Sequence, residues 1–244
     1  MIQLPLGIGL REDVTFDNFL FGEANREAEH ILTADEQPLI YLWGPRGSGK
    51  SHLLQALIHR SAEQGKASAY LPLRELDGLS PDYLQGLEQL PLICIDDIDH
   101  IAGQSLWEEE LFHLYNRIQA ASTRLVVTAS SNPAGSPLSL PDLRSRLGWG
   151  VTLRLTPLDD AGKLLVLQRR ARARGMELPV DVGRYLLSRV SRDMKTLATW
   201  LDELDERSLA FQRKLTIPFI RELLPEMEKR PLADSYNQRL TREQ

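Results

Sequence analysis

A single cysteine among 244 residues, Cys94, excludes any internal disulfide, and its place inside an apolar strand marks it as a small core hydrophobe. No apolar run approaches the roughly 20 residues that a membrane-spanning helix needs. The N-terminus carries neither a basic leader nor a cleavage pattern, so a cytoplasmic protein is expected, with no membrane partner. Basic residues are also in short supply: 29 Lys and Arg stand against 34 Asp and Glu, a net charge of −5. That balance argues against a protein whose main work is gripping nucleic-acid backbone, although local basic patches remain open. Internal repeats and low-complexity tracts are missing as well. What remains is a chain, 42% hydrophobic, long enough to bury one large domain, or one domain with a small appendage.

The most informative segment present is Gly44-Pro45-Arg46-Gly47-Ser48-Gly49-Lys50-Ser51, followed by His52. It lies between an apolar run at 38–43 and a helical pattern. Glycines at this spacing let the backbone curl so that several amides face phosphate oxygens, Lys50 adds a mobile charge, and the Ser51 hydroxyl can ligate magnesium. The helix that follows turns its positive dipole end toward the same place. A second motif, Leu92-Ile93-Cys94-Ile95-Asp96-Asp97, ends an apolar strand in two acids. Asp96 is the expected magnesium residue, and Asp97 the candidate to orient or deprotonate an attacking water. The alternative for the pair is a strand cap followed by a solvated turn.

Alternation of apolar runs with helical patterns predicts an α/β fold with a parallel five-stranded sheet. Strands are expected at 38–43, 67–73, 91–95, 124–130 and 151–155, with helices at 50–63 and 105–121. After Pro157 strands cease, and helices are expected at 160–174, 180–190, 193–210 and 217–224. The organisation is therefore an N-terminal tail (1–14), a nucleotide-binding domain (15–156), a small all-helical domain (157–224) and a polar C-terminal tail (225–244). His52, His59, His100 and His113 show no zinc-site spacing. Trp149 and Trp200 are expected to pack in the core, and Arg169, Arg170, Arg172 and Arg174 to form a solvated helix face.

Several segments together resemble the AAA+ domain of the bacterial replication initiator DnaA. They are Thr15-Phe16-Asp17-Asn18-Phe19 with Asn25, the loop continuing as His52-Leu53-Leu54-Gln55-Ala56, the acidic pair, and Ser145-Arg146-Leu147-Gly148-Trp149-Gly150. Leu140-Pro141-Asp142-Leu143 and Arg213-Lys214-Leu215-Thr216-Ile217-Pro218-Phe219 are similar to the DnaA-related regulator Hda. The resemblance implies an AAA+ P-loop core with a helical lid that binds ADP or ATP with Mg. It implies that Arg146, expected in the loop before the last core strand, is a finger acting in trans on DnaA. Ser130 and Lys195 fall at nucleotide-sensing positions where the relatives carry other residues, which points to weak ATPase activity at most. Gln3-Leu4-Pro5-Leu6 resembles peptides that dock on the beta sliding clamp of DNA polymerase III; the tetrapeptide alone also suits a plain flexible tail.

The implied function is a nucleotide-bound regulator that reaches DNA indirectly through the clamp, with a possible homo-oligomer, and stimulates DnaA to hydrolyse ATP, preventing reinitiation. Two other classes compete. A DnaA-like or helicase-loader ATPase acting directly on DNA is disfavoured by the acidic charge and by the small space left after the last lid helix for a DNA-reading domain. A small-molecule P-loop kinase would need an acceptor-binding lid, which the Ser-Arg-Leu-Gly-Trp-Gly element does not suit.

Overall fold

In the computed structural model, residues 14–76 and 78–228 are described, with side chains given as far as Pro225. The Gln3-Leu4-Pro5-Leu6 motif and most of the polar C-terminal stretch lie outside them. The chain divides into two units, 1–157 and 158–244.

The first unit is built on five parallel strands: β1 (Leu39–Trp43), β2 (Ser68–Pro72), β3 (Leu92–Asp96), β4 (Arg124–Ala129) and β5 (Val151–Arg154), in the order β2-β3-β4-β1-β5. Near-continuous apolar strands predict a sheet covered on both faces, and the side chains sort accordingly. Tyr41, Ile93, Ile95, Leu125 and Val127 enter one core with Trp107, Leu111, Leu114 and Ile118 of α3 (Ser105–Ala121). Ile40, Leu42, Cys94, Val126 and Leu153 enter the other with Leu53, Leu54 and Leu57 of α2 (Lys50–Glu63) and Leu32 of α1 (Arg26–Ala34). Successive strand residues serve opposite faces, as the pleat requires. Burial lifts the Cys94 thiol far above its usual range, so it packs as a neutral apolar group.

The connection from β2 to β3 runs through three short 3-10 turns, Leu73–Glu75, Pro81–Leu84 and Leu87–Gln89. A further helix, α4 (Pro141–Leu147), precedes β5. It corrects the expectation that Arg146 sits in a loop: Pro141 at the first helical position starts a helix whose last turn carries Arg144 and Arg146. A buried acid fixes its approach. Glu108 of α3 is 1% exposed, and its carboxylate accepts from the backbone N–H groups of Gly103 (2.8 Å), Ser139 (3.0 Å) and Leu140 (2.6 Å).

The N-terminal segment is tied to the end of the sheet by Asn25, whose side chain donates to Thr156 O and accepts from Thr156 N, both at 2.9 Å. Asn25 is buried, so its truncation leaves a backbone donor and acceptor without partners in the interior. Asn25→Ala is expected to lower the unfolding free energy by about 2 kcal/mol, read from the urea midpoint of the purified protein.

The second unit is helical: α5 (Asp160–Ala173), α6 (Val180–Arg189), α7 (Met194–Phe211) and α8 (Ile217–Glu228). Its core gathers Leu167, Leu186, Leu197, Trp200, Leu201, Leu204, Phe219 and Ile220. Asp159 and Asp193 cap α5 and α7 by accepting from Gly162 N and Thr196 N. The last helix runs on through Pro225 to Glu228, four residues beyond the expected stop. Among the described residues no helix is long and apolar enough to cross a membrane.

Candidate functional site

The phosphate-binding loop leaves the carboxyl end of β1 and returns as the first turn of α2. Gly44 N donates to Ala129 O at the end of β4, and Ser48 N closes a turn onto Pro45 O. Gly49 caps α2 at φ 97°, and a Cβ there would fall 2.5 Å from the Phe19 ring, so two independent constraints demand glycine. Phe19 in turn stacks edge-on with Phe21 and tilts over His52. The His52 ring nitrogen Nε2 lies 2.9 Å from Thr15 O, which commits that side chain to the N-terminal segment.

Lys50 is buried and donates from Nζ to Gly44 O (2.8 Å) and Pro45 O (3.2 Å). Burial lowers its pKa from the ordinary lysine value, while Asp97, Asp96 and Asp99 pull it back up. An ammonium with so little water around it gains from any anion that approaches the loop. Ser48 Oγ is buried with no hydrogen-bond partner among the described residues, and Ser51 is exposed on the first turn of α2. Unpaired amides at a helix start, an orphaned hydroxyl and a buried cation are the donor set that suits a chain of phosphates.

Asp96, the last residue of β3, is 4% exposed and has both carboxylate oxygens occupied. The Thr128 hydroxyl donates to Oδ1 and the Tyr70 hydroxyl to Oδ2 at 2.9 Å. Burial and the Asp96 charge drive the Tyr70 phenol far above its usual range, so it remains a donor. Thr128 Oγ1 also accepts from Asp97 N, fixing the two acids relative to β4. An anionic carboxylate held this way could keep a hydrated magnesium ion beside Ser51. Asp97 itself adopts a left-handed conformation (φ 56°), and its Oδ2 accepts from Arg74 Nε at 2.6 Å. One oxygen of the acid expected to orient or deprotonate water therefore accepts an arginine N–H here. Tyr70, Arg74 and Thr128 were not legible from sequence, because they meet the acids only through strand pairing and the turn after β2.

Gly44 to Ser51, Asp96, Asp97 and Ser130 thus gather at the carboxyl ends of the adjacent strands β3, β4 and β1, the edge at which open α/β sheets bind ligands. Ser130 is exposed and its backbone N–H donates to Asp99. Lys195 belongs to the helical unit, where it is exposed on the first turn of α7. Arg146 lies on the last turn of α4, where its guanidinium meets the Trp149 and Tyr115 rings. Its helix delivers the chain to Val151, which pairs with Ile40 at the start of β1, and a strand length of roughly 13 Å, at about 3.3 Å per residue, separates that end from the phosphate loop.

Residues 36–160, or 125 of the 244, match the family model described as AAA domain. The chain belongs to the AAA domain family. Residues 160–224 match the model of the Hda lid domain, so the helical unit is of the type that defines an Hda-like, DnaA-related AAA+ protein. Solved structures agree on the fold. Domain III of Thermotoga maritima DnaA superposes with a TM-score of 0.77 at 21% identity, covering 91% of this chain and 100% of that one. DnaA from Aquifex aeolicus, bound to AMPPCP, gives 0.68 at 22% identity over 80% of this chain and 66% of that one. The Holliday junction branch migration motor RuvB of Thermotoga maritima gives 0.68 at 17%, covering 88% and 72%.

Proposed function

We propose that this AAA+ protein is a negative regulator of replication initiation. It binds an adenine nucleotide and magnesium at 44–51 and Asp96, docks on the sliding clamp through Gln3-Leu4-Pro5-Leu6, and supplies Arg146 to ATP-bound DnaA. The observation that carries the reading is Arg146 on the last turn of α4, its guanidinium lying over the exposed Trp149 ring. A guanidinium resting on an exposed ring is available to a neighbour, where it would offset charge on a transferring phosphoryl group. The Hda-type lid adds support, since it relates the chain to DnaA rather than to AAA+ motors in general. Bound nucleotide would supply phosphate charge that organises the loop. This chain's part is to hold it by Lys50 and the amides, and to orient the metal through Asp96, Tyr70 and Thr128.

A pull-down with DNA-loaded clamp and DnaA, with and without ADP, tests the assembly: all three proteins are expected to be retained together when ADP is present. Retention of neither partner would contradict the proposal. Changing Leu4 and Leu6 to Ala is expected to remove clamp binding while leaving the melting temperature unchanged, because two apolar anchors supply most of a short peptide's affinity. Undiminished clamp binding would place the docking surface elsewhere.

A further inference from the structure

Trp149 departs from the expectation that it packs in the core. It is 65% exposed, whereas Trp107 and Trp200 are 8% and 5% exposed. An indole left in water at that level contributes little by burial, yet its backbone is tightly placed. Trp149 N donates to Arg146 O at 3.1 Å, and a Cβ at the following Gly150 would fall 2.4 Å from Leu39 O, so the turn is pressed against the start of β1. The Arg146 guanidinium lies over the ring, its Cζ 4.3 Å from the ring centroid. Tyr115 lies at 6.0 Å from the same Cζ. Burial raises the Tyr115 phenol and the nearby Arg146 charge lowers it part of the way back, so the cation is felt there too.

We infer that Trp149 is a positioning residue that holds the Arg146 guanidinium flat against its exposed indole and so presents it, already ordered, to the nucleotide of a neighbouring protein. An unrestrained arginine samples many rotamers and must lose that freedom on reaching a phosphate. A guanidinium stacked on an aromatic face has lost part of it beforehand, and it can slide off the ring toward a fully charged anion because the cation–π attraction at an exposed site is weak. The inference rests on the proposed action of Arg146 in trans.

Its test uses the full-length protein with DNA-loaded clamp and ATP-bound DnaA. Trp149→Ala is expected to lower the maximal stimulated hydrolysis rate about fivefold, the upper end for an exposed cation–π contact, without changing the half-saturating concentration. Trp149→Phe, which keeps an aromatic face, is expected to restore most of the rate. The Arg146 Nε–H resonance, identified by its disappearance in Arg146→Ala, is expected to lose its ring-current shift in Trp149→Ala. An unchanged maximal rate or an unchanged Arg146 resonance in Trp149→Ala would overturn the inference. So would a raised half-saturating concentration alone, which would make Trp149 a docking contact. Full stimulation by Arg146→Ala would instead overturn the underlying reading, so the two failures are distinguishable.

Discussion

Arg146→Ala is expected to abolish the stimulation of DnaA hydrolysis, a loss of about a thousandfold or more if the residue acts as an arginine finger, while nucleotide and clamp binding by the variant stay at wild-type level. The separation follows from the architecture. The helix that carries Arg146 leads into the amino end of β5, whereas the phosphate loop leaves the carboxyl end of β1. The Arg146 side chain contacts the Trp149 and Tyr115 rings and no group of the phosphate loop is among those partners. Removing it should therefore disturb only the partner's chemistry. Arg146→Lys should fail nearly as completely, because an ammonium lacks the planar fork and stacks poorly on indole. Phosphate release from mixtures of ATP-bound DnaA, loaded clamp and each variant checks both. Stimulation by Arg146→Ala at the wild-type level would shift the role to Arg144, two residues earlier on the same last turn.

The second large effect is expected at Lys50. Its Nζ sits on two loop carbonyls with three aspartates in its field, so an incoming phosphate finds a cation already aimed and poorly hydrated. Hydrogen bonds to charged groups are worth up to about 3 kcal/mol, so Lys50→Ala should weaken adenine nucleotide binding by about a hundredfold, measured by isothermal titration. Stability should behave in the opposite sense. The folded pKa of Lys50 is lowered from the usual 10.5 by burial, so the fold disfavours the charged form. That cost is fully present below the lowered pKa and is relieved as pH rises through it toward the unfolded value. Wild-type protein without nucleotide is thus expected to gain stability over that alkaline window, and Lys50→Ala to lack this component of the gain. Denaturant melts at neutral and alkaline pH compare the two.

Much of the phosphate-loop architecture was readable because its signals are local. The helix from Lys50 to Glu63 and that from Ser105 to Ala121 have the expected bounds, since glycine spacing and apolar periodicity both lie within a dozen residues. What escaped is non-local. α1 reads as mostly polar, and only its packing of Ala28 and Leu32 beneath the sheet gives it a reason to form. α4 is too short for periodicity to speak. Glu108 looks in sequence like any acid on a helix surface, yet it satisfies three backbone amides that guide the chain into α4. Tyr70 and Thr128 become partners of Asp96 only because β2, β3 and β4 are neighbours in the sheet. Trp149 was assigned to the core on residue type, which is a sound prior for tryptophan. The tight turn at Gly148 and Gly150 overrides it by holding the ring outside.

The central claim is that this protein acts on nucleotide bound to another molecule. It is tested most directly by single-turnover phosphate release from labelled ATP carried by DnaA alone, with this protein loaded with ADP and the clamp assembled on DNA. Accelerated release with wild-type protein, lost with Arg146→Ala, is the predicted result. Release at the same slow rate with and without the wild-type protein would contradict the account.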